Sequence, residues 1–232
     1  NANKDGIETT NIKFIVSPYD EIAIEQAVQM GGETLAICVG DTRCTEALRT
    51  ALSMGIQNAV HIDTESVRLD SYQTATVIAA LLKQKNADLI LCGKQGIDFD
   101  NTLVPGMIAE LMNIPHVLAV DKMELLDNKL RLGRRVAAGM REVYESSSPA
   151  LVSCDRGLNT PRYPSLPNIM KAKAKPIEKI LAAQLLNGTE SLTSFSNYEL
   201  APERAAGKVL TGDPATQVRE LVRLLKEEAK IL

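Results

Sequence analysis

Hydrophobic periodicity predicts an α/β fold: a doubly wound, mostly parallel open sheet with an antiparallel excursion, then an extended C-terminal arm plus helix. Three observations carry that prediction. Short, almost uniformly apolar runs that stop at glycine, such as 34–40 (TLAICVG) and 88–93 (DLILCG), alternate with segments of helical period. Strands buried on both faces of a parallel sheet read this way. Over 122–147 the period changes to two, the mark of antiparallel strands, and from 187 to 212 neither period survives.

Taken in order, Asp20–Met30 places Ile22, Ala23, Ala27 and Met30 on one helical face, with Asp20 and Glu21 favourable in the first turn. A strand over Thr34–Val39 ends at Gly40. Asp41 is then expected to cap a helix running to Met54, with Ala47, Leu48, Ala51 and Leu52 as its inner stripe and Gly55 as its C-cap. Ala59–Ile62 is the next strand, and 70–85 is a helix with Ala75, Ile78, Ala79 and Leu82 inward. Strand Asp88–Cys92, a loop, helix Asn101–Met112 and strand Pro115–Val120 continue the alternation, which implies right-handed βαβ crossovers.

Lys122–Leu126, Lys129–Arg135 and Arg141–Ser147 form the antiparallel excursion, turning at Asp127-Asn128, and Ala150–Cys154 returns to the core. Pro161, Pro164, Pro167 and Pro176 forbid continuous strand pairing over 159–176 and leave a long ordered loop or a short helix, followed by a linker. Pro214–Leu232 is a final amphipathic helix with Val218, Leu221, Val222 and Leu225 inward. The organisation expected is an α/β unit over 1–185, and an arm and helix over 186–232 that pack on a partner.

At 232 residues the chain is long enough to bury its own core. A net charge of −3 argues against a nucleic-acid partner, which needs a basic surface to displace phosphate counterions. No apolar run approaches the ~20 residues of a membrane span. Cys38, Cys44, Cys92 and Cys154 show neither CxxC pairing nor zinc-ligand spacing, so reduced thiols and a reducing compartment are expected. Because the chain opens at Asn1 rather than Met, a targeting segment before it stays open. His61 and His116 are expected to be structural, and no nucleophile, base and orienter emerge, so the chain reads as a non-enzyme without a metal site.

The loop Gly93-Lys94-Gln95-Gly96-Ile97-Asp98-Phe99-Asp100 sits where open α/β sheets bind ligands, beyond a strand's C-terminal end. Gly93 and Gly96 permit close backbone approach, and the amides of Asn101, Thr102, Leu103 and Val104 open the next helix and can cradle a phosphate. The plainer reading is a strand-to-helix turn capped by Asp98 or Asp100. Neither Walker A nor GxGxxG is present.

This GKQ-x-ID-x-D loop resembles that of electron-transfer flavoprotein β subunits. Residues 158–173 (LNTPRYPSLPNIMKAK) are similar to the family's LN-x-PRY-x-x-LPNIMKAK signature, 17–25 to its NP-[FY]-x-E-x-A-x-E helix entry, and 201–208 to its P-x-R-x-AG-x-K arm. The resemblance covers essentially the whole chain. It implies an adenine-nucleotide-binding, HUP-like sheet in a heterodimer: an α subunit carries redox-active FAD, and this subunit binds AMP or, in bifurcating members, a second FAD.

Position by position, the resemblance puts the nucleotide against Ser17, Val39, Gly40, Gly93 and Asn101 to Val104, with Asp98 and Asp100 of the same loop included. Thr102 and Leu103 stand where relatives often have Asn or Gln, so backbone rather than side-chain contacts are expected there. It also implies that Leu166, Pro167, Asn168, Ile169, Met170 and Lys171 dock an acyl-CoA dehydrogenase, with Leu166 as anchor and Lys171, Lys173 and Lys175 adding long-range attraction. The compartment implied is the bacterial cytoplasm or the mitochondrial matrix. Two departures from the family pattern are a first strand expected before residue 1 and several residues expected between Met30 and Gly31. The competing reading is a stand-alone adenine-nucleotide-binding regulatory module, which leaves 158–173 and the arm without purpose.

Overall fold

The computed structural model describes residues 6–9, 11–127, 129–204 and 206–232. Asn128 of the expected turn and Ala205 of the arm motif lie outside them. The chain divides into two compact units, one of residues 9–195 and one of 6–8 with Ser196–Leu232.

The larger unit runs α1 (Pro18–Met30), β1 (Leu35–Gly40), α2 (Cys44–Met54), β2 (Asn58–Asp63), α3 (Ser71–Lys85), β3 (Leu89–Gly93), α4 (Leu103–Met112), β4 (His116–Leu126), β5 (Lys129–Arg135), β6 (Arg141–Ser147), β7 (Ala150–Cys154), α5 (Leu166–Ala174), β8 (Glu178–Leu181) and α6 (Ala182–Leu186). The class is α/β with open, mixed sheets, as the sequence predicts. Backbone pairing separates the strands into an all-parallel β1-β2-β8 sheet and a β3-β7-β4-β5-β6 sheet. In the second, β3, β7 and β4 are parallel, and the β4-β5-β6 meander is the antiparallel excursion.

The changeover happens within β4. Its register shifts between Val117 and Val120, where Ala119 adopts a φ of 58°. The Ala119 amide donates to the buried Ser153 hydroxyl at 2.8 Å, which satisfies a donor that the bulge removes from the ladder. Beyond the bulge β4 pairs with β5, and β7, buried along its whole length, fills the place between β3 and β4.

Helix α3 packs on two sides. Ala75 and Leu82 join Ile90, Ile108 and Leu151, while Val77 and Leu81 join Val60, Ile62 and Ala182. The expected inward face thus needs enlarging by Val77 and Leu81, because a helix with apolar clusters on both sides carries two stripes. Asp70 caps it through a full capping box with Gln73.

Helix α1 departs from its expected face: Met30 is exposed, and Glu25 is buried with Ile22 and Ala23. The buried carboxylate is tolerated because Arg162 binds it with two nitrogens at 2.7 and 2.8 Å. Gly31 follows Met30 as the helix C-cap at φ 75°, its amide donating to Ala27. Asp41 does not cap α2: its carboxylate takes the Arg43 amide and guanidinium, and the helix starts at Cys44.

Of 159–176, residues 166–174 are helical, with Ser165 as N-cap and Pro167 in the first turn. The expected linker instead holds β8, paired with β2, and α6. In the smaller unit, α7 (Pro214–Glu227) is capped by Asp213. No residue of α7 is buried, and Val218, Leu221 and Val222 are exposed rather than inward. Among the described residues, no helix is long and apolar enough to cross a membrane.

Candidate functional site

Two of the expected contact regions meet at the end of β3. The Gly93 amide donates to Asp20 Oδ1 at 2.7 Å, and the Ser17 hydroxyl donates to the Gln95 carbonyl at 3.4 Å, which ties the start of α1 to the β3–α4 loop. A Cβ on Gly93 would lie 2.6 Å from Asp20 Oδ1, 2.8 Å from the Asp20 nitrogen and 2.9 Å from the Tyr19 carbonyl carbon. Close packing within the chain therefore already demands this glycine. At Gly96 a Cβ would stand 2.8 Å from Asp98 Oδ1.

The carboxylates expected to cap α4 do something else. Asp98 accepts from the Phe99 amide at 2.9 Å, and Asp100, at φ 50°, turns its carboxylate back to Gln95 Nε2 at 2.9 Å. Asn101 opens the helix instead. Its Oδ1 accepts from the Leu103 amide at 2.9 Å, its Nδ2 donates to the Ser71 hydroxyl at 2.6 Å, and its carbonyl accepts from Gly96 at 3.0 Å. One residue thus joins the starts of α3 and α4.

Thr102, the N-cap of α4, makes no side-chain cap, and the third helical residue is Pro105, which has no amide hydrogen. With the Leu103 amide taken by Asn101, the Thr102 and Val104 amides have no partner among the described residues. Such donors at a helix start, with its partial positive charge, suit an anion.

Beside them is a cavity of about 200 Å³ whose lining includes Arg68, Ser71, Asp98, Phe99, Asn101 and Val104. Small-molecule sites run to roughly 300–1,000 Å³, so this space fits part of a nucleotide rather than a whole one. The Arg68 guanidinium lies 4.9 Å from the Phe99 ring centroid and 4.6 Å from that of Phe195.

Val39 and Gly40 end a strand of the other sheet. The Gly40 carbonyl accepts from Thr64 N at 3.0 Å and from His61 Nε2 at 2.9 Å, which gives buried His61 a structural role. No hydrogen bond among the described residues joins Val39 or Gly40 to the loop. His116 is exposed. All four cysteines are free, but only Cys154 is buried; Cys38, Cys44 and Cys92 are half-buried.

The electron transfer flavoprotein domain model matches residues 6–185 of this chain. Electron transfer flavoprotein subunit beta of Bacillus subtilis is 38% identical over 235 residues, covering 97% of this chain and 91% of the relative. The chain belongs to the electron transfer flavoprotein β-subunit family. The human subunit is 36% identical over 238 residues (99% and 91% covered), and the mitochondrial subunit of Arabidopsis thaliana 34% over 237 residues (99% and 92%). Bacterial and mitochondrial proteins both stand among these electron transfer flavoprotein relatives.

The flavoprotein signature at 158–173 forms α5 and the loop before it. Asn159 donates to the Ile22 carbonyl at 3.0 Å and Gln26 at 3.1 Å, and Arg162 grips Glu25, so the first half of the signature anchors the segment to α1. The second half faces outward. Leu166 is 72% exposed and Met170 59%, Pro167, Asn168 and Lys171 are exposed, and Ile169 is half-buried. Ala172 is the buried foot of α5, packed with Leu48 and Leu52. The Lys175 ammonium donates to the Ile56 and Gln57 carbonyls at 3.0 and 3.3 Å, which holds it beside the start of β2.

Sequence reasoning missed Arg68, Asp70, Ser71 and Phe195 at this site. Asp70 and Ser71 read only as a helix start, and Phe195 lies in a stretch without periodicity.

Proposed function

We propose that this chain is the nucleotide-holding β subunit of an electron carrier. It binds AMP, or a second FAD, at the opening of α4, and joins an α subunit that carries redox-active FAD. The heterodimer takes electrons from an acyl-CoA dehydrogenase-type flavoenzyme and delivers them to a downstream acceptor, in a bacterial cytoplasm or a mitochondrial matrix. This subunit contributes no catalytic group.

The observation that carries the reading is the uncapped start of α4, with the Thr102 and Val104 amides beside Arg68 and the cavity. A phosphate there gains two backbone donors, the helix dipole and a guanidinium. Asp98, an acceptor on the same wall, suits ribose hydroxyls rather than phosphate. Ser17 and Gly93 shape the loop from the α1 side, and Val39, Gly40 and Asp100 complete the site around the ligand's remaining surface.

Leu166 supplies the dehydrogenase contact, with Pro167, Asn168, Ile169, Met170 and Lys171 around it. An exposed leucine braced by prolines loses little entropy on docking, and burying it is worth about 1.5–3 kcal/mol. Co-expression with the α subunit, followed by flavin and AMP quantitation, tests the reading. One FAD with one AMP, or two FAD, per heterodimer is expected; a heterodimer with one FAD and no other adenylate contradicts it.

A further inference from the structure

Residues 187–195 carry no helix or strand, yet they are held against the start of α3 by a set of specific hydrogen bonds. Gln73 Nε2 donates to the Thr189 carbonyl at 3.1 Å. Asp70 divides its carboxylate: Oδ1 takes the Gln73 amide at 2.8 Å and caps α3, while Oδ2 takes the Leu192 and Thr193 amides at 2.6 and 2.9 Å. Burial raises the pKa of this carboxyl, but the bonds from Gln73, Leu192, Thr193 and Ser191 outweigh it and hold the pKa below the ordinary value, so the acceptor stays charged.

Two residues on, Phe195 packs on Phe99 of the β3–α4 loop, ring centroids 5.5 Å apart, and Arg68 lies over both rings. Phe195 also lines the cavity. One wall of the cavity beside the proposed phosphate site is thus built partly by Phe195, more than ninety positions later in the sequence than Val104, in the segment that leads directly into the C-terminal arm.

We propose that residues 187–195 are a ligand-sensing strap: Asp70 and Phe195 act as positioning residues that couple nucleotide occupancy of the α4 opening to the seating of the segment that leads into the C-terminal arm. The inference rests on the nucleotide reading above. The physical link is Phe99, because a ligand that orders its loop fixes the ring on which Phe195 and Arg68 stack. Coupling of this kind is reciprocal, so releasing the strap weakens the ligand by the factor with which the ligand protects the strap.

The test uses the full chain in complex with its α subunit, stripped of adenylate and titrated with AMP and, separately, with FAD. Hydrogen exchange reports the Leu192 and Thr193 amides. Two variants release the strap without cutting into the core. In Phe195→Ala the lost ring is 58% exposed. In Asp70→Asn the Oδ1 cap of α3 remains while an amide group is turned toward the Leu192 and Thr193 donors. In the wild-type complex the ligand slows exchange at Leu192 and Thr193 about fivefold or more, and each variant binds that ligand about fivefold more weakly with the protection lost. If AMP or FAD binds but the strap amides exchange at an unchanged rate, or if either variant binds as tightly as wild type, the strap inference fails while the nucleotide reading stands. If the wild-type complex binds neither, both fail.

Discussion

Glu25 is the clearest case of a residue whose burial is made tolerable mainly by one partner, Arg162. The Arg162 guanidinium, opposed by burial and helped by Gln29 and the Arg162 amide, brings its pKa from 4.5 down to about 2. Because the folded value is depressed, the stability this pair contributes is full above the unfolded value and is lost as pH falls toward the folded one. Arg162→Ala leaves a buried carboxylate without its cation. Since Arg162 is itself half in solvent, the expected cost is about 1–3 kcal/mol rather than that of a fully buried pair. Denaturant midpoints should show the gap between variant and wild type widest above about pH 4.5 and closing as pH drops toward about 2; a pH-independent gap refutes the assignment. Gly93→Ala places a Cβ against the backbone of Tyr19 and Asp20, and is expected to cost about 1–3 kcal/mol by forcing α1 away from β3. A variant as stable as wild type would mean that the α1 start yields freely.

At the scale of elements, Asn101 holds the starts of α3 and α4 together and occupies the Leu103 amide. Asn101→Ala should lower stability by about 1 kcal/mol and weaken AMP binding in the same variant, as denaturation and calorimetry will show; undiminished AMP affinity would mean that the α4 opening is not where the nucleotide sits. Leu166→Ala on α5 should leave thermal stability unchanged, since the side chain is 72% exposed, yet slow electron transfer from the dehydrogenase. Unchanged transfer kinetics would remove Leu166 as anchor.

The elements legible in the sequence were those whose own residues repeat the pattern: α1 to α4 and α7, strands β1 to β3, the excursion strands, and the return of β7. Those missed owe their form to distant partners. β8 is four residues with two exposed, set beside Pro176, and exists because β2 offers it an edge. Val77 and Leu81 turn inward because β2 and α6 cover that side of α3. The β3–α4 loop was legible as a strand-to-helix connection from its glycines and the helix after it. The assignment of its caps was not, because Asp98, Asp100 and Asn101 are all competent acceptors and only the left-handed turn at Asp100 decides between them.

At the scale of the whole molecule, the smaller unit ends in a helix that keeps its apolar stripe in solvent: Val218, Leu221 and Val222 are 59%, 46% and 39% exposed. A stripe this regular on a helix with an Asp213 cap and Arg223 bridging Glu220 and Glu227 is a candidate docking surface. Leu221→Asp is expected to leave the unit of residues 9–195 folded and to weaken association with the α subunit tenfold or more, on the order of 1.5 kcal/mol or above; sedimentation showing an unchanged heterodimer would assign the stripe elsewhere.

The central claim is that backbone amides at the start of α4 receive a nucleotide's phosphate. The most direct measurement is an amide NMR titration of the heterodimer with AMP, read at Thr102 and Val104 against the rest of the chain. The account predicts that these two amides shift furthest, downfield as hydrogen-bonded donors do, with Phe99 and Asn101 following. A saturable titration in which Thr102 and Val104 stay in place while other amides move would contradict it.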